Sequence, residues 1–307
     1  MLTISAVVPC YNGEPFLAEA LESIRRQSRP VDEIIVVDDG SSDRSADIAT
    51  EMGAMVIRQS NRGEGASRNR GIQAARGDVI AWLDADDVWH SEHIEVVAGL
   101  LEQHPGAAGA FGAVQRFGAD TSRILGYVPT GEPGPVLVEA FRDWLHTTIG
   151  AVTRRTVLLD VGGFDENERY SVDFDLWLRL ARSHTFVATH QVTSCWRWHP
   201  AQQSSAGELQ LAAVYRYRRR FIDSLRADRE DVLTEKLEHE MVSVWIRDMR
   251  TAIEQGNRPA VRALRVAARS IPALGMSERS LWTLLSRMPP GAVRGAASLR
   301  AMARRNV

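Results

Sequence analysis

The chain has 307 residues, 44% hydrophobic and 25% charged, with a formal net charge of −2. That length can bury one large core or two smaller ones, and the near-neutral charge gives no global reason to expect a nucleic-acid partner. Two cysteines, Cys10 and Cys195, make no disulfide framework and stand in no metal-ligand spacing, which fits a reducing cytoplasm.

The first predicted strand is Ile4 to Val8, stopped by Pro9 and followed by the turn residues Cys10-Tyr11-Asn12-Gly13. From about Glu14 to Gln27 the spacing is helical, with Leu17, Leu21 and Ile24 on one face. Ile34 to Val37 is the second strand, and it runs into Asp38-Asp39-Gly40-Ser41-Ser42-Asp43, where Ser42 or Asp43 suits a helix cap. A third strand at Ala54 to Ile57, a loop from Asn61 to Ala66 and a helix from Ser67 to Ala75 lead to Val79-Ile80-Ala81-Trp82-Leu83. That apolar strand reads as buried and parallel. It feeds directly into Asp84, Asp86 and Asp87. Carboxylates so crowded repel one another unless a cation or ligand offsets the charge, and their oxygens suit hard divalent ions.

Alternating strands and helices place the chain in the α/β class, with a doubly wound, mostly parallel sheet and helices on both faces. Ligands bind such sheets outside the carboxyl ends of the strands. Tyr11-Asn12, Asp38-Asp39 and Asp84 to Asp87 all stand at such ends, so one crevice is expected for a metal and a phosphate-bearing ligand.

After a helix at Ser91 to Gln103, strands are expected at Ala107 to Phe117, Arg123 to Val128, Ile149 to Thr153, Phe186 to Thr189 and Thr193 to Trp198. Between them lie a loop from Pro129 to Pro135, a short helix near Val136 to Trp144, a turn at Gly162-Gly163-Phe164-Asp165 and a helix at Val172 to Ser183. Beyond about Gly207 the pattern is helical, dividing the chain into 1–206 and 207–307. From Arg258 onward ten arginines stand against one acid, a charge of +9 that leaves −11 before it. Arg258, Arg262, Arg265 and Arg269 share one face of a helix and Val261, Leu264, Ala268 and Ile271 another, a basic amphipathic pattern that Leu281 to Met288 repeats. Such a tail either docks on an anionic membrane or packs as a helical subdomain, on its own domain or on a second copy in a homo-oligomer. No apolar run approaches the roughly 18 residues that span a bilayer, and no basic-then-apolar leader precedes the first strand. The expectation is a cytoplasmic protein, in its peripheral form held at the inner face of the cell membrane.

Several blocks in order carry a resemblance: Val7-Val8-Pro9-Cys10-Tyr11-Asn12, Val37 to Asp43, Ala66-Ser67-Arg68-Asn69-Arg70-Gly71, Leu83-Asp84-Ala85-Asp86-Asp87, Gly162 to Asp165, Asp173 to Arg179, and Trp196-Arg197-Trp198-His199-Pro200. Over roughly residues 3 to 205 the chain resembles the bacterial family 2 glycosyltransferases of the GT-A fold. The resemblance implies transfer of a sugar, with inversion, from a nucleotide sugar to a carbohydrate or lipid-linked acceptor in cell-surface polysaccharide or glycoconjugate synthesis. It implies that Pro9, Tyr11 and Asp39 border the base, with Tyr11 stacking and Asp39 accepting from a uracil-like ring, so that a UDP- or dTDP-sugar is favoured. Asp84-Ala85-Asp86 takes the place of the DxD motif, Asp86 on a Mn²⁺ or Mg²⁺ ion and Asp84 near metal, ribose and sugar. Arg68 and Arg197 are candidates for the diphosphate, and His199 for a further metal or phosphate contact. Asp173 is the implied base, since a carboxylate with a reference pKa of about 3.9 is ionised at neutral pH. Many relatives have Glu-Asp there, whereas this chain has Val172-Asp173.

Two alternatives come from the same residues. Asp84 to Val88 also resembles the aspartyl-phosphate loop of haloacid-dehalogenase-like phosphatases, although that loop usually follows the first strand and needs a downstream lysine, and Lys236 is the only lysine here. The other is a non-catalytic nucleotide-sugar-binding partner subunit.

Overall fold

The computed structural model describes residues 1–118, 124–125, 135–142, 148–200, 202, 207–275 and 282. It contains two compact units, Met1–Gln202 and Gln203–Val307.

In the first unit, β1 (Ile4–Cys10), β2 (Glu33–Asp38), β3 (Met55–Arg58) and β4 (Val79–Trp82) run parallel in the spatial order β3-β2-β1-β4. Between them come α1 (Leu17–Arg25), α2 (Ser45–Glu51) and α3 (Glu64–Ala74). Strands covered on both faces must be apolar on both, and β4 is buried at every residue while β1 yields only at Pro9. Leu17, Ala20, Leu21 and Ile24 of α1 supply one cover. On α3, Gly71 sets the distance to the sheet, because a Cβ there would stand 2.3 Å from Cγ1 of Val7.

The second half of the sheet is mixed. It is built from β5 (Val88–Trp89), β6 (Ala107–Gly118), β7 (Ile124–Leu125), β8 (Ala151–Arg154) and β9 (Thr185–Trp198). Among the described residues the sheet has nine strands, in the order β3-β2-β1-β4-β8-β6-β9-β5 with β7 on β6. β8 lies antiparallel between β4 and β6, while β6 and β9 run parallel. Helices α4 (His93–Gln103), α5 (Pro135–Arg142), α6 (Arg155–Asp160) and α7 (Val172–Ala181) complete the unit. The two strands expected at 186–189 and 193–198 are one strand, and the register jump between Phe111↔Ala188 and Ala113↔Val192 absorbs exposed His190 and Gln191 in a bulge. The strand expected from Ile149 begins as a 3₁₀ turn, Thr148–Gly150. Most of the expected 123–128 strand, nearly all of the 129–135 loop, the end of the 136–144 helix and most of the 281–288 helix lie outside the described residues.

Among its described residues the second unit has three α-helices, α8 (Gly207–Ala227), α9 (Asp231–Glu254) and α10 (Arg258–Ala267), and a 3₁₀ turn at Ala268–Ser270. Tyr215, Phe221 and Ile222 of α8 and Leu237, Met241, Trp245 and Met249 of α9 form its core. The Asn257 side chain caps α10 by accepting from the Ala260 N–H at 3.1 Å, with Pro259 in the first turn. Among the described residues no helix is long and apolar enough to cross a membrane.

Candidate active site

The loops after β1 and β2 are stitched to each other. Asn12, with φ +50°, donates its N–H to Ser41 Oγ and accepts from the Ser42 N–H through Oδ1, each at 2.9 Å. Tyr11 is left 56% exposed beside them. Pro9, half-buried, pairs with Val37 in the ladder. Asp39 is buried and receives three hydrogen bonds of 2.8 Å, from Gln59 Nε2 and the Arg62 N–H on Oδ1 and from the Gly63 N–H on Oδ2. A carboxylate has about four acceptor positions, so roughly one remains for a ligand.

The acidic loop after β4 is held from two sides. On one, Arg68 of α3, only 1% exposed, donates from Nη2 to Asp84 Oδ1 at 2.7 Å, pairs through Nη1 with Glu64, and lies 5.3 Å over the Phe164 ring. On the other, Arg197 of β9 donates its N–H to Asp87 Oδ1 at 2.7 Å and its Nε to the Asp86 carbonyl at 2.8 Å, and reaches Glu19 of α1 at 2.5 Å. Its guanidinium lies 4.9 Å from the Phe16 ring centre and 4.4 Å from that of Phe117. Both arginines expected at a diphosphate are thus tied to the acidic loop or its counter-charges. His199 Nε2 stands 2.9 Å from Asp86 Oδ2, with its ring against Phe16.

The electrostatics follow from this crowding. Burial, then the neighbouring Asp84, pushes Asp86 above the usual carboxylate range. Burial and the charges of Asp86 and Asp84 hold buried Asp87 well above it, and Asp87 Oδ2 has no hydrogen-bond partner. Glu64 is pushed up to about 7 by burial, against the pull of Arg68 and with Asp84 and Asp173 adding to the rise. The charge of Asp173 is felt at both Glu64 and Arg68, so it belongs to the same crevice.

Asp173 sits in the first turn of α7, behind Ser171 with φ +55°, and its Oδ1 accepts from the Phe174 N–H at 2.9 Å. The turn before α7 is clamped to α3. Asn69 accepts from the Phe164 N–H at 2.7 Å and donates to the Phe164 carbonyl at 2.9 Å. Arg179, paired with Asp175 at 2.7 Å, donates to the carbonyls of Val161 and Gly163 at 2.6 Å. Glu64, Asn69, Glu19, Phe16 and Arg179 were not singled out in the sequence. Arg179 had a local signal, lying four residues after Asp175 on the expected helix, whereas Glu64 fell in the expected loop.

The donor set fits a hard divalent cation in part from protein and in part from ligand. Among the described residues no three His, Cys, Asp or Glu side chains form a ready metal cage. Asp86 and His199 face each other, one oxygen of Asp84 is committed to Arg68, and the carboxylates repel one another. Mg²⁺-like ions are commonly held by one or two carboxylates, with phosphates and water completing the shell.

Residues 5–158 match the family model described as Glycosyl transferase family 2. The chain is similar to the putative glycosyltransferase EpsH of Bacillus subtilis, 46% identical over 97 residues that cover 30% of this chain and 28% of EpsH. It is also similar to an uncharacterized glycosyltransferase of Rickettsia typhi, 28% identical over 215 residues, 68% of each. Among solved structures, Staphylococcus aureus TarS in complex with UDP-GlcNAc aligns with a TM-score of 0.70 at 19% identity, over 92% of this chain and 87% of that one. The mannosyltransferase PcManGT of Pyrobaculum calidifontis in complex with GDP-Man and Mn²⁺ aligns at 0.57 and 17%, over 93% and 84%. The fold is GT-A. These likenesses favour neither a dehalogenase-like phosphatase nor a binding-only subunit.

Proposed function

Because the chain belongs to glycosyl transferase family 2, we propose that it is an inverting, metal-dependent transferase that moves a sugar from a UDP- or dTDP-sugar to a hydroxyl of a carbohydrate or lipid-linked acceptor. The observation that carries this reading is the gathering of Asp39, Asp84, Asp86 and His199 at the carboxyl ends of β2 and β4 and on the chain leaving β9, with the charge of Asp173 felt at Arg68, the partner of Asp84. TarS was solved with UDP-GlcNAc and PcManGT with GDP-Man, which together support a nucleotide-sugar donor, the first of them a uridine one.

In this reading Tyr11 offers its exposed face to the base, Pro9 borders it, and the remaining acceptor position of Asp39 takes an N–H of uracil or thymine. Asp86 and His199, beside Asp84, would hold Mn²⁺ or Mg²⁺, whose positive charge would stabilise a departing diphosphate. Arg68 and Arg197 act through the acidic loop, fixing Asp84 and the backbone of Asp86. Asp173 takes the proton of the acceptor hydroxyl as its oxygen attacks the anomeric carbon, and the bond to the nucleoside diphosphate breaks on the opposite face.

Isothermal titration with UDP, dTDP and GDP, with and without Mn²⁺, tests this. UDP or dTDP is expected to bind only with metal, and Asp86→Ala to abolish binding. Failure of every diphosphate to bind in the presence of Mn²⁺ would sink the reading.

A further inference from the structure

The arginine-rich pattern of α10 first suggests a helix that lays its apolar stripe into a bilayer, but the fold has already used that stripe. Ala263, Leu264 and Ala267 are buried, and Trp245 of α9 donates its Nε1–H to the Leu264 carbonyl at 2.7 Å. Inserting α10 would therefore unpack the unit.

What α10 leaves outward is a cavity of about 430 Å³ with a divided lining. Arg262, Arg265 and Arg269 contribute cations, while Trp245, Met249 and Trp282 contribute apolar wall. The two indoles meet edge to face, with centroids 6.2 Å apart. Val266, also in the lining, is 64% exposed. Arg262 pairs with Glu208 at 3.4 Å, an exposed contact of little energy. Among the described residues no carboxylate pairs with Arg265 or Arg269. Guanidinium groups match phosphate oxygens in two-pronged hydrogen bonds. Inorganic phosphate has no use for the apolar wall, whereas a phospholipid presents a phosphate and apolar groups next to it.

We propose that this cavity is a headgroup site for an anionic phospholipid, through which the unit Gln203–Val307 holds a negatively charged bilayer without inserting α10. Arg262, Arg265 and Arg269 take the phosphate, and Val266 and Trp282 meet the apolar groups beside it. The site is independent of the donor crevice, so nucleotide titration and lipid binding succeed or fail separately.

Sedimentation of the full chain with vesicles tests it, using phosphatidylcholine alone and with phosphatidylglycerol added. Wild type should sediment with the anionic vesicles only, and the double variant Arg265→Ser/Arg269→Ser should bind roughly 30-fold more weakly, the effect of two basic groups at a membrane surface. Val266→Glu, at an exposed position, should weaken binding as well. Arg226→Ser removes a charge from α8 that pairs with Asp223 and does not line the cavity, and it should bind as wild type does. Unchanged circular dichroism in each variant separates loss of the site from loss of the fold. Equal sedimentation with neutral vesicles, an unaffected double variant, or an equal loss in Arg226→Ser would overturn the proposal. So would heat from titrated inorganic phosphate in the absence of any vesicle binding.

Discussion

Arg68 and His93 are two buried titratable residues that the fold treats in opposite ways. Arg68 is kept charged by Glu64 and Asp84, whose attraction outweighs the burial that opposes it. Removing one partner of a buried ion pair commonly costs about 3–5 kcal/mol, because the other charges stay behind. Arg68→Leu leaves Glu64, Asp84 and Asp173 without their shared cation, so a loss of about that size is expected in urea unfolding, and a loss under about 1 kcal/mol would mean the acids rearrange freely. His93 is kept neutral. Burial holds its pKa at about 3, with the ring stacked on Trp89 at 4.4 Å and Nδ1 2.9 Å from the Thr193 hydroxyl. An unfolded histidine takes up its proton near pH 6.5 and the folded one only near 3. The unfolded state therefore binds more protons across that window, and stability falls as pH drops through it. At pH 5 the loss attributable to this one group is about 2 kcal/mol. His93→Gln should flatten the slope of unfolding free energy between pH 7 and pH 5, and an unchanged slope would assign the acid sensitivity to other groups.

Helix α3 shows both what a local reading captures and what it misses. The residues Gly63-Glu64-Gly65 read as loop because two glycines weaken a helix, so the predicted helix starts at Ser67, whereas α3 starts at Glu64. Only Gly63, with φ +94°, is required by its backbone. Gly65 is helical and is glycine because a Cβ there would stand 2.4 Å from the Asp165 carbonyl oxygen. That demand comes from a turn a hundred residues away and has no local signature. The same turn explains Asn69, which sits in a quoted motif without an assigned role and carries both hydrogen bonds to the Phe164 backbone. Asn69→Ala would leave a buried N–H and carbonyl unpaired, at about 1–3 kcal/mol each. The turn precedes α7, which carries the proposed base Asp173, so KM for acceptor should rise while donor affinity holds. Equal loss of both would make Asn69 a support of the whole crevice.

For the whole molecule, legibility followed the distance over which each pairing acts. The parallel strands β1 to β4 come from successive strand-helix units, so periodicity and the polar clusters at their ends placed the crevice. The second half depends on β8 entering between β4 and β6 and on β9 pairing with both β6 and β5, contacts that no local pattern encodes. The basic tail was visible as charge, but that its apolar stripe is spent on α8 and α9 was not. The crevice lies wholly within Met1–Gln202. A ligand that binds only the folded form stabilises it by about 2.7 kcal/mol at a hundred times its dissociation constant. For a unit of about 200 residues this is a rise in melting temperature of roughly 5–11 °C. Calorimetry with UDP or dTDP and Mn²⁺ should therefore move the transition of that unit upward by about this amount. Either component alone should move it far less, because in the proposed reading Asp86 and His199 would hold only part of the metal's shell and the diphosphate would complete it. Asp86→Ala should melt at the same temperature with and without the pair of ligands. A full shift in that variant would place the nucleotide away from the acidic loop.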